Sequence, residues 1–342
     1  MTLTERPVAP PVARRVWRAG DLVVKYGFLI VTAALFAWFS VSEPAFRSGS
    51  NLLDVLRYVS VAAILGLGVT LTMAVGGLDM SVGAVAGLAV SVAAETMVVH
   101  NQIGTIAVLV VLAVGALAGL VNAALIVLLR VPDMLATLGT MFALSGLKLV
   151  LVSGQSISPG MTLPDGSSAP GKFTSGFLSI DRGSVLGIPV SVLIFAVLTV
   201  LAWVFLARTR WGRVLFAVGA NREAARLAGV RVGLYRSLAY VLSGLLAATG
   251  GLILAARIGQ GDVSAGNSQL LEAVAVALVG TSVLGRGRPN VWGTALGAVL
   301  IGIISSGLTI AGLPYYTQDV VEGVVLILAL VCSFTLSGGK RS

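Results

Sequence analysis

The chain has 342 residues, of which 57% are hydrophobic and 11% charged, with a mean hydropathy of +0.99. An ordinary soluble domain carries about 25% charged residues, so this composition leaves too few to cover a water-facing surface and excludes a soluble globular enzyme. It also excludes disorder, which needs low hydrophobicity and high net charge. The class that remains is an all-α polytopic membrane protein. A helical span takes about 20 apolar residues, so ten spans use roughly 200 and leave tails and loops but no large second domain.

The first 25 residues hold Arg6, Arg14, Arg15, Arg18 and Lys25 against Glu5 and Asp21. The apolar run that follows, about Tyr26 to Val41, has no small-x-small cleavage site before Glu43-Pro44. This reads as a cytoplasmic tail and an uncleaved first span. Further apolar runs predict spans at about Leu52–Val75, Met80–Val99, Thr105–Leu129 and Leu135–Val152. A polar stretch, 153–187, rich in Pro, Ser and Gly, comes next, then a span at Ile188–Ala207 and a basic loop over 208–235. The remaining spans are expected at Arg236–Ala256, Leu270–Leu284, Val291–Ala311 and Val320–Leu336, before a short tail over 337–342. Residues 26–336 are thus one membrane domain.

The net charge of +9 sorts by loop. The 208–236 segment has seven arginines, from Arg208 to Arg236, opposed only by Glu223, and belongs in the cytoplasm by the positive-inside rule. The 153–187 loop balances Lys172 and Arg182 with Asp165 and Asp181, as suits the outside. Ten spans with both termini cytoplasmic place every basic cluster inside; eight or nine do not. The excess charge is therefore a topology signal, and no nucleic-acid partner is expected.

No G-x-x-x-x-G-K-[ST], HExxH or GxSxG is present, so the chain has no visible ATP-binding or hydrolytic centre. One cysteine, Cys332, and one histidine, His100, form neither an intrachain disulfide nor a metal cluster. Between the second and third spans, Gly76 and Gly77 precede Asp79, Ser81 and Gly83. Paired glycines, a carboxylate and a hydroxyl predict a broken helix, with Asp79 and Ser81 placed to cap the third span. A place beside a gate or in contact with solute is the functional alternative. Other polar residues within spans are pathway candidates: Asn122, Thr137, Thr140, Glu272 and Thr281. The pairs Gly83/Gly87, Gly115/Gly119 and Gly293/Gly297 have G-x-x-x-G spacing and predict packing faces.

The basic loop predicts a short amphipathic helix: Asn221 caps it, Glu223 favours its N-terminus, and Gly229 ends it. Glu223-Ala224-Ala225 with Gly229 resembles the EAA-x-x-x-G coupling motif of ATP-binding-cassette importer permeases. Three further segments resemble the ribose-type sugar permease family, in order. Gly76–Gly83 is similar to its GGIDLSVG segment, Val131–Met141 to VPPFIATLGTM, and Leu271–Ser282 to ELDAIAAVVLGGTS. Asp133 stands where the family's second proline is usual, and Gly285-Arg286-Gly287-Arg288-Pro289 replaces its glycine-rich tail.

The resemblance implies a type II importer-like permease in the bacterial inner membrane, without cofactor. It implies a dimer, two ATPase subunits docking on the 212–229 region, and a periplasmic or lipid-anchored binding protein delivering a monosaccharide or related solute. Docking residues would be Gly212, Gly219, Asn221, Glu223, Ala224, Ala225, Arg226 and Gly229, with lipid headgroups beside them. The alternative is an ion-gradient-driven transporter, which needs a midplane carboxylate relay. Only Asp79 and Glu272 qualify, and both are expected near the membrane interfaces.

Overall fold

The computed structural model describes residues 19–163, 165–283, 288–314 and a few positions between 320 and 327. The first 18 residues, the Gly285–Gly287 tail, Cys332, most of the tenth expected span and the C-terminal tail lie outside the described residues. Among the described residues the regular elements are helices, apart from one short hairpin pairing Ser184–Val185 with Ile188–Pro189.

Helix α1 covers Ala19–Ser42, α2 Gly49–Ala74, α3 Val82–Ala94, α4 Gly104–Ala123 and α5 Asp133–Leu151. A π-helical turn extends α3 through Val99 and another extends α4 through Leu128. Helix α6 is Ser175–Arg182 and α7 is Val190–Arg208; α8, Arg210–Ala220, and α9, Arg222–Leu227, follow. Helix α10 is Val232–Ile258, α11 Gln269–Val283 and α12 Val291–Ile310. Seven of these helices among the described residues are long and apolar enough to cross a membrane, fewer than the ten expected. Helix α11 falls short for a physical reason: its 15 residues reach only about 22 Å at 1.5 Å each, against a core of about 30 Å.

Helices α2 and α10 cross at the centre. Helix α10 packs against α2, α3 and α4, while α2 packs against α10, α11 and α12. Glycines set these approaches: a methyl on Gly68 would lie 3.0 Å from the Ser243 hydroxyl, and one on Gly115 would lie 2.6 Å from the Gly244 carbonyl oxygen. The three G-x-x-x-G pairs are all such contacts, Gly83 and Gly87 against the 265–270 segment, Gly115 and Gly119 against α10, Gly293 and Gly297 against α11. Close backbone approach through small residues holds helices together where lipid offers no hydrophobic drive.

The packing has an internal symmetry that sequence periodicity did not suggest. Gly76-Gly77-Leu78-Asp79-Met80-Ser81-Val82-Gly83 recurs 183 residues later as Gly259-Gln260-Gly261-Asp262-Val263-Ser264-Ala265-Gly266. Gly76 (φ +73°) ends α2, and Gly259 (φ +75°) ends α10. In each copy the aspartate accepts from the serine two residues on: Asp79 Oδ1 from Ser81 N at 2.9 Å, and Asp262 Oδ1 from Ser264 N at 2.8 Å. Each long helix thus turns into a non-helical re-entrant segment, followed by a shorter helix. The two segments meet where Gly83 and Gly87 lie against Ala265, Gly266 and Leu270.

The polar 153–187 stretch is more ordered than a loop. Thr174 caps α6 by accepting from Phe177 N at 3.4 Å, and Ile157 pairs with Gly261. Helix α8 was hidden in the basic loop; Thr209 caps it, accepting from Gly212 N at 3.2 Å, and Leu215 and Val218 bury one face.

Candidate functional site

Within the non-helical 76–81 segment Gly76 is exposed, Gly77, Leu78 and Met80 are half-buried, and Asp79 and Ser81 are buried in protein, as polar groups on non-helical backbone must be at membrane depth. Asp79 is 1% exposed. Its Oδ1 accepts from the Ser81 hydroxyl at 2.6 Å, and its Oδ2 accepts from the Ser243 hydroxyl of α10 at 2.7 Å. Ser81 in turn accepts from Asn122 Nδ2 of α4 at 2.8 Å. This corrects one expectation: the Ser81 side chain makes no cap hydrogen bond to α3, its hydroxyl donating instead to Asp79. Asp79 is enclosed by protein, and Glu272, in the first turn of α11, is likewise buried.

The pathway candidates separate. The Thr137 hydroxyl lies 3.2 Å from the Leu78 carbonyl and 3.0 Å from that of Asp133, tying α5 to the inner segment. Thr281 donates to Leu278 O within its own helix at 2.7 Å. Asn122 Oδ1 and Thr140 Oγ1 are buried without a hydrogen-bond partner among the described residues. Towards the C-terminal end of α5, Lys148 donates to Ala265 O at 3.2 Å, so α5 contacts both non-helical segments.

At the end of the molecule that carries the arginine-rich 208–236 segment, contacts are organised by Asp133, the first residue of α5. Its carboxylate pairs with Arg236 of α10, accepts from the Tyr240 hydroxyl at 2.8 Å, and lies 3.5 Å from Arg222 of α9. Arg222 also donates to Gly76 O at 3.1 Å, and Gly219 of α8 packs on Ala74 and Gly76. Helices α8 and α9 are therefore bonded directly to the underside of the inner re-entrant segment. Asp133 registers in the sequence only as the substitution for a proline, which gives no hint that two arginines converge on it.

Helix α9 has the expected cap: Asn221 Oδ1 accepts from Ala224 N at 2.9 Å, and Gly229 takes φ +81° past its end. Glu223 pairs with Arg226 at 2.7 Å, and both are exposed. Ala225 is buried while Ala224 faces out. Gly212 is buried against Leu206, so it and Gly219 sit on the inward side of the pair. Leu227 is 80% exposed, an apolar side chain on a charged helix that composition alone did not single out.

At the opposite end, Asp181 of α6 is fully enclosed. Arg57 of α2 reaches it at 2.6 Å and Arg257 of α10 at 3.1 Å. Burial alone raises this carboxyl; the hydrogen bonds from Arg57 and Arg257 outweigh it and hold it below the usual carboxylate range.

Residues 51–330 match the family described as branched-chain amino acid transport system / permease component. The chain belongs to this family. It is a multi-pass permease component of an ABC-type importer in the bacterial inner membrane, and ATP hydrolysis falls to a separate subunit. It is 32% identical to the ribose import permease protein RbsC of Haemophilus influenzae over 95% of this chain and 97% of that one. It is 34% identical to RbsC of Escherichia coli K12 over 89% and 91%, and 33% identical to the galactose/methyl galactoside import permease protein MglC of that strain over 89% and 92%. No solved structure matches significantly. Family membership implies an assembly with ATPase subunits, a binding protein and a second permease. It also removes the ion-gradient alternative.

Proposed function

We propose that this permease imports a monosaccharide or a related small polar solute, in the range of pentoses, hexoses, polyols and furanosyl signals, at the expense of ATP hydrolysed by two partner subunits. The names of the ribose and galactose permeases to which it is similar support the sugar class. The ten-span arrangement with both termini cytoplasmic, one membrane domain over 26–336 and a homodimer around a central path are parts of the same reading.

The observation that carries it is the joining of α9 to the inner re-entrant segment through Arg222, Gly76 and Asp133. An ATPase docked on the exposed face of α9, around Glu223, Ala224, Arg226 and Leu227, pulls on a helix bonded to the mouth of the path. Gly212, Gly219 and Ala225 pass that motion inward, and Gly229 frees the chain before α10. The re-entrant residues Gly76, Gly77, Asp79, Ser81 and Gly83 form the inner gate, with its outer counterpart at 259–266. The buried, unpartnered Asn122 Oδ1 and Thr140 Oγ1 are the best-placed solute contacts, since an unpaired buried acceptor or hydroxyl gains most from a ligand. Thr137 ties α5 to the Leu78 carbonyl, Thr281 bonds within α11, and Glu272 lies buried in the first turn of that helix. A binding protein, periplasmic or lipid-anchored, delivers the solute to the outer face.

Vesicles containing the permease, its ATPase and its binding protein test the reading. Uptake of labelled monosaccharide should require ATP and the binding protein. Uptake driven by a proton or sodium gradient without ATP would overturn it.

A further inference from the structure

At the end of the molecule away from α8 and α9, the start of α2 and the last turns of α12 bound a cavity of about 220 Å³. Six polar side chains line it: Asn51, Asp54 and Tyr58 from α2, and Ser305, Ser306 and Thr309 from α12. Asn51 holds the two walls in register, donating to Phe46 O at 2.8 Å and accepting from the Ser306 hydroxyl at 3.2 Å. Arg57, three residues on from Asp54, donates to Asp181 of α6 through Nε at 2.9 Å and Nη2 at 2.6 Å. The cavity therefore lies at the end that carries the 153–187 stretch.

A face of this kind does not belong against lipid. An ionisable side chain within a span faces the packed interior or a water-filled cavity, because hydrocarbon penalises its charge. Asp54 is exposed and has neither an ion pair nor a hydrogen bond among the described residues. It faces water, and the amide and hydroxyls around it share that water.

The chemistry of the lining selects the occupant. An ionised aspartate only accepts hydrogen bonds, and Ser306, having given its proton to Asn51, accepts as well. The ligand must bring several donors of its own. No lysine or arginine lines the cavity among the described residues, so an amino acid would leave its carboxylate unmatched. One carboxylate is too few for a divalent cation, which takes six or more oxygens, and the described residues hold no metal-ligating cluster. An apolar wall from a second copy would strand the Asp54 charge. Tyr58 adds an apolar ring ending in a hydroxyl, suited to a solute with both C–H and O–H surface. The volume falls below the range of about 300–1,000 Å³ that holds drug-sized ligands, as suits a smaller molecule.

We infer that this cavity is an outer binding subsite for a neutral polyhydroxylated solute of monosaccharide size, whose hydroxyls donate to Asp54 and Ser306. It uses neither Asn122 nor Thr140 and receives solute before they do. The inference rests on the sugar reading proposed above for the solute, and on the proposed orientation for the side from which solute arrives. Binding is read on the permease alone and uptake on the full system, so the two readings fail separately.

The test is thiol labelling of full-length permease carrying Cys332→Ser and Thr309→Cys, in lipid nanodiscs where a charged methanethiosulfonate reagent reaches both faces. Thr309 is the exposed residue of the α12 wall, and Asp54 is exposed too, so neither substitution opposes folding. D-ribose and D-galactose are the probes, with their L-enantiomers as controls. At about 50 mM, several-fold above a millimolar dissociation constant, at least one D-sugar should slow labelling about fivefold while its enantiomer does not. Adding Asp54→Asn should raise the half-protecting concentration about tenfold, the scale of one hydrogen bond to a charged group. No protection by either D-sugar, equal protection by the enantiomers, or unchanged protection without the carboxylate would overturn the inference. So would protection by millimolar calcium instead of sugar, which marks a cation site, or disulfide cross-linking of Thr309→Cys to its counterpart, which marks a second copy on this face. Uptake of either sugar by the vesicles described above without protection sinks the subsite alone; protection without uptake upholds the subsite and sinks the transport reading for that sugar.

Discussion

Two aspartates tie helices together at opposite ends of the molecule. Asp133 joins α5, α9 and α10 through Arg222, Arg236 and Tyr240. The Arg236 side chain is only 12% exposed, so removing its partner strands a largely buried charge, at a cost of about 3 kcal/mol. Asp133→Asn should therefore lower the thermal midpoint in detergent, and adding Arg236→Gln should recover part of the loss; strictly additive effects would show that the pair is not coupled. Asp181 anchors α6 to Arg57 and Arg257. Its carboxyl is held below the usual range, so its contribution is complete above the unfolded-state value and fades as pH falls through the depressed one. The stability gap between wild type and Asp181→Asn should be widest near neutral pH and close below about pH 4, near the ordinary aspartate range. A gap independent of pH would refute this.

At the scale of the element, α9 is too short to be stable alone, since isolated helices below about 12–15 residues are marginal in water. Its cap at Asn221, the burial of Ala225 and the bond from Arg222 to Gly76 keep it in place. This leaves its outer face available, with Leu227 at the centre of a charged surround. Both Glu223→Lys and Leu227→Asp should reduce co-purification of the ATPase while leaving insertion intact, the second more strongly because it removes an apolar contact. Unchanged co-purification for both would remove α9 as the docking element. Helix α11 makes a different point. Its apolar run was readable as a span, yet it begins only after the re-entrant 259–268 segment has entered the protein.

At the scale of the whole molecule, the paired segments at 76–83 and 259–266 make the fold a two-fold repetition of long helix, re-entrant segment and shorter helix. Both copies feed onto α5, through Leu78 and Thr137 on one side and Ala265 and Lys148 on the other. If the two segments are gates, as proposed above, a helix clamped to both would move with either one, as alternating access requires. The orientation is open to direct measurement: a reporter fused after Gly171 should be active outside, and one after Gly219 inside. The reverse pattern would sink the ten-span arrangement.

The sequence alone determined the class, the order of the apolar helices and the capped helix at 222–227, because hydrophobic length, loop charge and cap chemistry are local properties. Its glycine spacing also marked the packing faces, since close approach leaves no other residue type possible. What only the tertiary structure decided were meetings across long separations. Arg222 and Arg236 converge on Asp133, Arg57 and Arg257 on Asp181, and Ser243 on Asp79. The interior position of Asp79 and Glu272 belongs with these. Each depends on how deep a non-helical segment enters the protein, and depth is set by packing between helices, a quantity that no local pattern encodes.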